Sequence, residues 1–255
     1  MSNPEFETAL KELIYKIADD ELIIGHRNSE WTGLGPMLEE DIAFSSIAQD
    51  KVGQAYNLYQ LLNQLGEKDP DQIAFNRNEK DFKCCHLVEY PIGEYDFSLV
   101  RHFLFDYAEM QRFEMLANSS YQPLANFAKK FKGEIKYHVF HAHIWITQLG
   151  NASGISHTRI QSALNEVYPL VLSIFEPSPY EDVLKSENIF AGEELLKKNW
   201  LNAIEPVIEK AGLVLPTVKD ETAHFGGRKG YHTEYLGPML AEMTEVFRED
   251  AGAEW

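Results

Sequence analysis

Glu21, Lys51, Gln54, Asp106 and His138 are polar residues placed on or beside stripes of apolar residues that recur every three or four positions. On a helix, residues three apart face the same side. A bundle that holds two metal ions takes a Glu from each of two helices and a Glu-x-x-His pair from each of the other two. Laid on this chain, that template falls on Glu21, on Lys51 with Gln54, on Asp106, and on Ile135 with His138. The spacing is present, but half of the ligand chemistry is not. An ammonium repels a cation, an amide is a poor iron ligand, and Ile135 offers no donor.

Two inward carboxylates still need a counter-charge, because an unpaired buried ion is costly. Lys51 can supply it. The expectation is that Lys51 pairs with Glu21 or Asp106, with Gln54 and His138 hydrogen-bonding around it. The competing reading leaves each polar residue at the rim of its stripe, satisfied by water. Of His138, His141 and His143, the first two are neighbours on a helix and the third points elsewhere. With Tyr137 and Trp145 among them, they read as a polar–aromatic seam rather than a zinc site. Gly226, Gly227 and Gly230 around Arg228 and Lys229 read as a flexible basic loop opening a helix, suited to an anion or partner contact, or else as a solvated connector. Cys84 and Cys85 are adjacent, too few for a thiolate metal site, and read as small semi-buried residues. No Gly-rich nucleotide loop, G-x-S-x-G or Cys-x-x-Cys is present.

These residues need long helices to position them. Residues 34–65 predict one, with Leu38, Ile42, Ser45, Ala48, Val52, Ala55, Tyr59 and Leu62 as its core stripe and Lys51 and Gln54 on the stripe's edge. Tyr56 reads as core beside Tyr59. A first helix over about 5–25 carries Leu10, Ile14, Ile17, Glu21 and Ile24. A third, near 97–119, carries Leu99, Phe103, Asp106, Met110 and Phe113. A fourth, near 123–150, carries Ile135, His138, Ala142, Trp145 and Leu149. Further helices are predicted near 156–175, 193–211 and from Leu236 onward. The class is all-α: a four-helix bundle over about 5–150 with accessory helices over about 153–250, read as one domain.

The bulk properties agree with a folded, soluble chain. Its 255 residues are 44% apolar, enough for a sizeable core, and the formal net charge of −17 argues against nucleic acid or an anionic membrane as partner. No run of about 18 apolar residues and no signal-like start is seen, so the expected location is the cytoplasm.

Three stretches carry a resemblance: DDELIIGHRNSEWTGLGPMLEEDIAFSSIAQDKVGQA, GEIKYHVFHAHIWITQLGNAS and GGRKGYHTEYLGPMLAEM. Over nearly its whole length the chain resembles the C subunits of bacterial phenylacetyl-CoA epoxidase (phenylacetate-CoA oxygenase, the PaaC family). The resemblance implies a ferritin-like fold and a non-catalytic structural role beside an A subunit that holds the di-iron centre and the substrate. The A subunit's QDEAGH is similar to QDKVGQ here, which puts a metal Glu at Lys51 and a metal His at Gln54; its second Glu-x-x-His falls on Ile135 and His138. The implied complex forms the ring epoxide of phenylacetyl-CoA with oxygen, fed by a flavin and iron–sulfur reductase using NADPH. No cofactor is expected on this chain, and a homodimer of the chain alone stays open. Two other readings compete: a self-sufficient di-iron oxygenase, and a stand-alone CoA-ester binding module with Arg228 and Lys229 on the phosphates.

Overall fold

The computed structural model describes residues 4–249, which hold ten α-helices and no strand. They are α1 (Pro4–Ser29), α2 (Leu38–Gln64), α3 (Pro70–Phe75), α4 (His86–Glu89), α5 (Tyr95–Leu116), α6 (Gln122–Asn151), α7 (Ile155–Val171), α8 (Glu181–Ser186), α9 (Glu193–Lys210) and α10 (Leu236–Glu249). Among the described residues no helix is long and apolar enough to cross a membrane.

Side-chain pairings fix the directions of the four long helices. α1 and α2 are antiparallel, since Tyr15 meets Glu67 and Tyr59 meets Asp19. α5 and α6 are antiparallel, with Tyr107 beside His143 and Phe113 against Phe127. α2 and α6 also run oppositely, through Glu40 with Trp145 and Gln54 with Glu134. By contrast α2 and α5 run the same way: Glu40 meets Tyr95, Phe44 meets His102, and Lys51 meets Asp106. Two parallel neighbours need a long crossover, and residues 65–94 provide it with α3 and α4 inside. One crossover in four helices is the ferritin-like connection.

α5 is the centre of the molecule. Every residue from Phe97 to Glu109 is buried, as expected of a helix covered on all sides. α7 and α9 close the side that the bundle leaves open, and Trp200 on α9 donates its indole N–H to the Leu104 carbonyl at 3.0 Å. Local sequence sets the ends. Asp69 caps α3 by accepting the Gln72 N–H at 3.1 Å, and Pro70 follows it where no amide donor is needed.

The core stripe of α2 is rotated from the expected one. Leu38, Ile42, Val52 and Tyr56 are exposed, whereas Phe44, Ile47, Lys51, Gln54, Leu58, Tyr59 and Leu62 are buried. Lys51 and Gln54 are at the middle of the inner face, not at its edge. Apolar content does not choose between the two stripes, because both repeat at three and four. Both cysteines are fully buried rather than partly so.

A buried ion cluster locks the accessory layer onto the bundle. Glu193, which opens α9, accepts from Lys16 on α1 at 2.6 Å and from Arg112 on α5 at 2.8 Å. Burial raises the Glu193 pKa, but Arg112 and Lys16 outweigh it and hold the carboxyl down at about 2.

This packing can be tested at two places. A Cβ on Gly150 would lie 2.6 Å from the Ala211 carbonyl oxygen, whereas one on the exposed Gly133 meets nothing. Gly150→Ala should therefore cost about 1–3 kcal/mol in denaturant unfolding, and Gly133→Ala should gain up to about 1 kcal/mol. The Glu193 pKa is depressed on folding, so its contribution is complete above the unfolded value and is lost as pH falls from about 4.5 to about 2. Stability measured across that window should drop by about 3 kcal/mol from this group alone. Glu193→Gln should flatten that acid limb while being less stable at neutral pH.

Candidate functional site

Among the described residues, Lys51 is the one lysine or arginine at the centre of the bundle's polar network, and its side chain is fully buried. Small neighbours make the room: Ala48 and Ala55 stand one turn either side, and Gly25 lets α1 approach, since a Cβ there would meet Lys51 Cβ at 3.0 Å. Lys51 Nζ lies 2.7 Å from Asp106 Oδ1 and 3.2 Å from Glu21 Oε2, and it donates to Glu109 Oε2 in a short contact. The ring of Phe105 covers it with its centroid 4.8 Å away. One cation therefore serves three carboxylates drawn from α1 and α5.

The three are not equivalent. Burial raises the Asp106 pKa, but Lys51 and His102 pull it well below the usual carboxylate range. Burial dominates at Glu21, whose oxygens have no aligned donor, and its pKa rises to about 7 despite Lys51. Burial also works against the Lys51 charge; Asp106 and Glu21 outweigh it, and the ammonium's pKa is raised.

A polar seam extends from Asp106 in two directions. His102 Nδ1 is 2.5 Å from Asp106 Oδ2, and His141 Nδ1 is 3.3 Å from His102 Nε2. His141 Nε2 then meets Glu40 Oε2 at 3.1 Å; Tyr95 donates to the same oxygen and Trp145 to Oε1. On the other side His138 Nδ1 is 3.4 Å from Asp106 Oδ1, and its Nε2 is 3.0 Å from Asp50 on the surface of α2. Burial lowers the His138 pKa, but Asp106 and Asp50 raise it overall.

The structure thus brings Glu21, Lys51, Asp106 and His138 together. Gln54 is buried beside them but turns its amide to Glu134 at 2.9 Å instead of to the Lys51 network. Ile135 is fully buried and contributes packing alone. His143 is apart, at 2.9 Å from the Tyr107 hydroxyl. Glu109, His102, Glu40 and Asp50 join the network beyond what the sequence pattern singles out. Glu109 and His102 are within reach of the spacing, since they flank Asp106 at three and four residues along the same helix.

Arg228 corrects the expectation of an anion or partner contact in the glycine-rich loop. Its guanidinium is buried and grips the Asp20 carboxylate at 2.8 and 2.7 Å, with the carbonyls of Lys16, Lys83 and Ile174 around it. Asp20 lies inside the protein and needs that charge, so none is left to offer at the surface. Lys229 is exposed, but its ammonium is 3.3 Å from Glu176.

Two iron ions do not fit the central residues. Lys51 occupies the place of one ligand and brings a positive charge, and Gln54 and Ile135 stand where two others would be. Among the described residues, no three carboxylate or imidazole donors of this network lie within 4.8 Å of one another. What the arrangement does is hold the long helices through one buried charge. Removing that charge strands the carboxylates, so Lys51→Met should cost about 3–5 kcal/mol in chemical denaturation. Lys198→Met, at a position on α9 outside the buried set, should change stability by less than about 0.5 kcal/mol.

The family described as "Phenylacetic acid catabolic protein" matches residues 1–255. The chain is also 33% identical over 241 residues to the C subunit of "1,2-phenylacetyl-CoA epoxidase" from Escherichia coli (strain K12), covering 94% of this chain and 96% of that protein. With a match along its full length and a helical bundle of the ferritin-like connection, the chain belongs to the phenylacetic acid catabolic protein family.

Proposed function

We propose that the chain is a non-catalytic component of a phenylacetyl-CoA epoxidase without a di-iron centre of its own, acting in phenylacetate catabolism as the structural partner of a di-iron A subunit. The observation that carries this reading is the buried Lys51 ammonium among Glu21, Asp106 and Glu109. A bundle that neutralises its inward carboxylates with a lysine has no use for a metal pair at the same place. The relative's name supplies the substrate class and the role within a complex. On this reading oxidation takes place on the A subunit, with electrons from a flavin and iron–sulfur reductase that uses NADPH.

The outer face of α2 supports the role of a partner. Leu38 and Ile42, and further along Val52 and Tyr56, are exposed apolar residues on one side of the helix, and Leu34 and Met37 are exposed just before it. Ser45 and Gln49 lie between the two apolar pairs, and exposed apolar side chains gathered on one helix face suit an interaction site. In this proposal the stripe lies against the A subunit, where a large and hydrophobic contact is expected of a permanent complex.

The test is reconstitution. The purified chain alone should leave phenylacetyl-CoA unoxidised in the presence of reductase, NADPH and oxygen, and the A subunit should gain stability or turnover when the chain is added. Ile42→Asp combined with Val52→Asp should weaken binding to the A subunit at least about tenfold, with a thermal midpoint within about 2 °C of the parent. Epoxide formed by the chain unaided would overturn the non-catalytic reading; undiminished binding by the double variant would overturn the interface.

A further inference from the structure

Away from the Lys51 network, a second group of side chains converges. Cys84 on the crossover, Glu89 at the end of α4 and His232 in the loop before α10 bring three potential ligand atoms within 4.8 Å of one another. We propose that Cys84 Sγ, Glu89 Oε1 and His232 Nδ1 form a binding site for one divalent cation of the zinc class.

The distances suit that ion. Cys84 Sγ is 3.7 Å from Glu89 Oε1 and 4.0 Å from His232 Nδ1, and His232 Nδ1 is 2.8 Å from Glu89 Oε1. Tetrahedral zinc, with bonds of about 2.3 Å to sulfur and about 2.0–2.1 Å to nitrogen and oxygen, sets these edges at about 3.5 Å and about 3.3 Å. Each edge needs to move by no more than about half an ångström. The side chains of Glu89 and His232 and the whole of Cys84 are almost fully buried, so the donors are held in place rather than swinging in solvent.

The surroundings orient the donors as a metal site requires. His232 Nε2 faces the Phe82 carbonyl at 3.2 Å, and a carbonyl can only accept. Nε2 therefore carries a proton, and Nδ1 is the nitrogen turned toward Glu89 and Cys84. A ring N–H held by a backbone carbonyl is the usual support behind a metal-bound histidine. Glu89 is fixed likewise: its Oε2 accepts from the Thr233 amide at 2.7 Å and the Thr233 hydroxyl at 2.6 Å, leaving Oε1 for the ion.

Charge balances on exchange. A doubly charged cation enters; the proton on Cys84 Sγ and the proton between His232 Nδ1 and Glu89 Oε1 leave. One thiolate and one carboxylate then neutralise the ion, so no net charge is buried. The softness of sulfur with imidazole and carboxylate selects zinc, or cobalt as its spectroscopic substitute, over magnesium or calcium. The bound ion would bolt the crossover to the loop that opens α10, reinforcing the hydrogen bonds that already join them.

The full-length chain, treated with chelator and dialysed, tests the site by titration with Co²⁺ and then Zn²⁺. One equivalent of Co²⁺ should produce a thiolate-to-cobalt charge-transfer band that Zn²⁺ removes, and Zn²⁺ should raise the thermal midpoint. Cys84→Ser should lose the band and bind Zn²⁺ at least about tenfold more weakly, whereas Cys85→Ser should keep both. Circular dichroism establishes that each variant is folded; should Cys84→Ser not fold, the parent and Cys85→Ser spectra decide. No band and no thermal shift in the parent would overturn the proposal, as would a band that disappears in Cys85→Ser.

Discussion

A buried ammonium surrounded by carboxylates is the constraint on which this bundle depends. Lys51 reaches Glu21 on α1 and Asp106 and Glu109 on α5 from its own place on α2, so three helices meet at one nitrogen. None of these charges would be tolerated singly in the interior. Together they fix the depth at which α1 and α2 sit against α5, and Gly25 provides the close approach that this needs. The interaction also imposes stoichiometry on the charges. One cation cannot hold three anions equally, and the strain falls on Glu21, whose pKa rises to about 7.

The remaining polar groups follow from that centre. Asp106 is shared by Lys51, His102 and His138; His102 carries the contacts outward through His141 to Glu40, and His138 carries them to Asp50. The seam can exist because α2 and α5 run parallel, which places Glu40 by Tyr95 and Lys51 by Asp106 along the same two helices. The crossover of residues 65–94 is what allows this direction. It is in turn tied down at Asp19 and Asp20 through Arg77 and Arg228. Buried Asp–Arg pairs thus do for the connection what Lys51 does for the bundle.

Much of this is legible in the residue order, and the rest is hidden for physical reasons. Stripes at three and four place the long helices to within a few residues, and the inward positions of Glu21, Asp106 and His138 follow from the same periodicity. The face of α2 is misleading because the helix has two apolar stripes, one buried through Phe44, Ile47 and Leu58 and one exposed through Leu38, Ile42 and Val52. Apolar content cannot rank two such faces, because both repeat at three and four. Arg228 misleads for a related reason. A glycine-rich basic loop looks solvated until the acid it must neutralise, Asp20, is found more than two hundred residues earlier. Long-range charge pairing of that kind leaves no local pattern. Gln54 donates its amide N–H to Glu134 rather than joining the Lys51 network, and residue spacing alone does not rank the two partners.

A lysine stands where the ligand template of di-iron four-helix bundles would place a metal ligand, and it already engages Glu21, Asp106 and Glu109. Iron quantified in the chain after production in iron-replete cells tests this most directly, measured both alone and after separation from an A subunit. A buried Lys51 ammonium predicts well under one iron per chain in either case. Two irons per chain, with Lys51 displaced from Asp106 and Glu109, would contradict it.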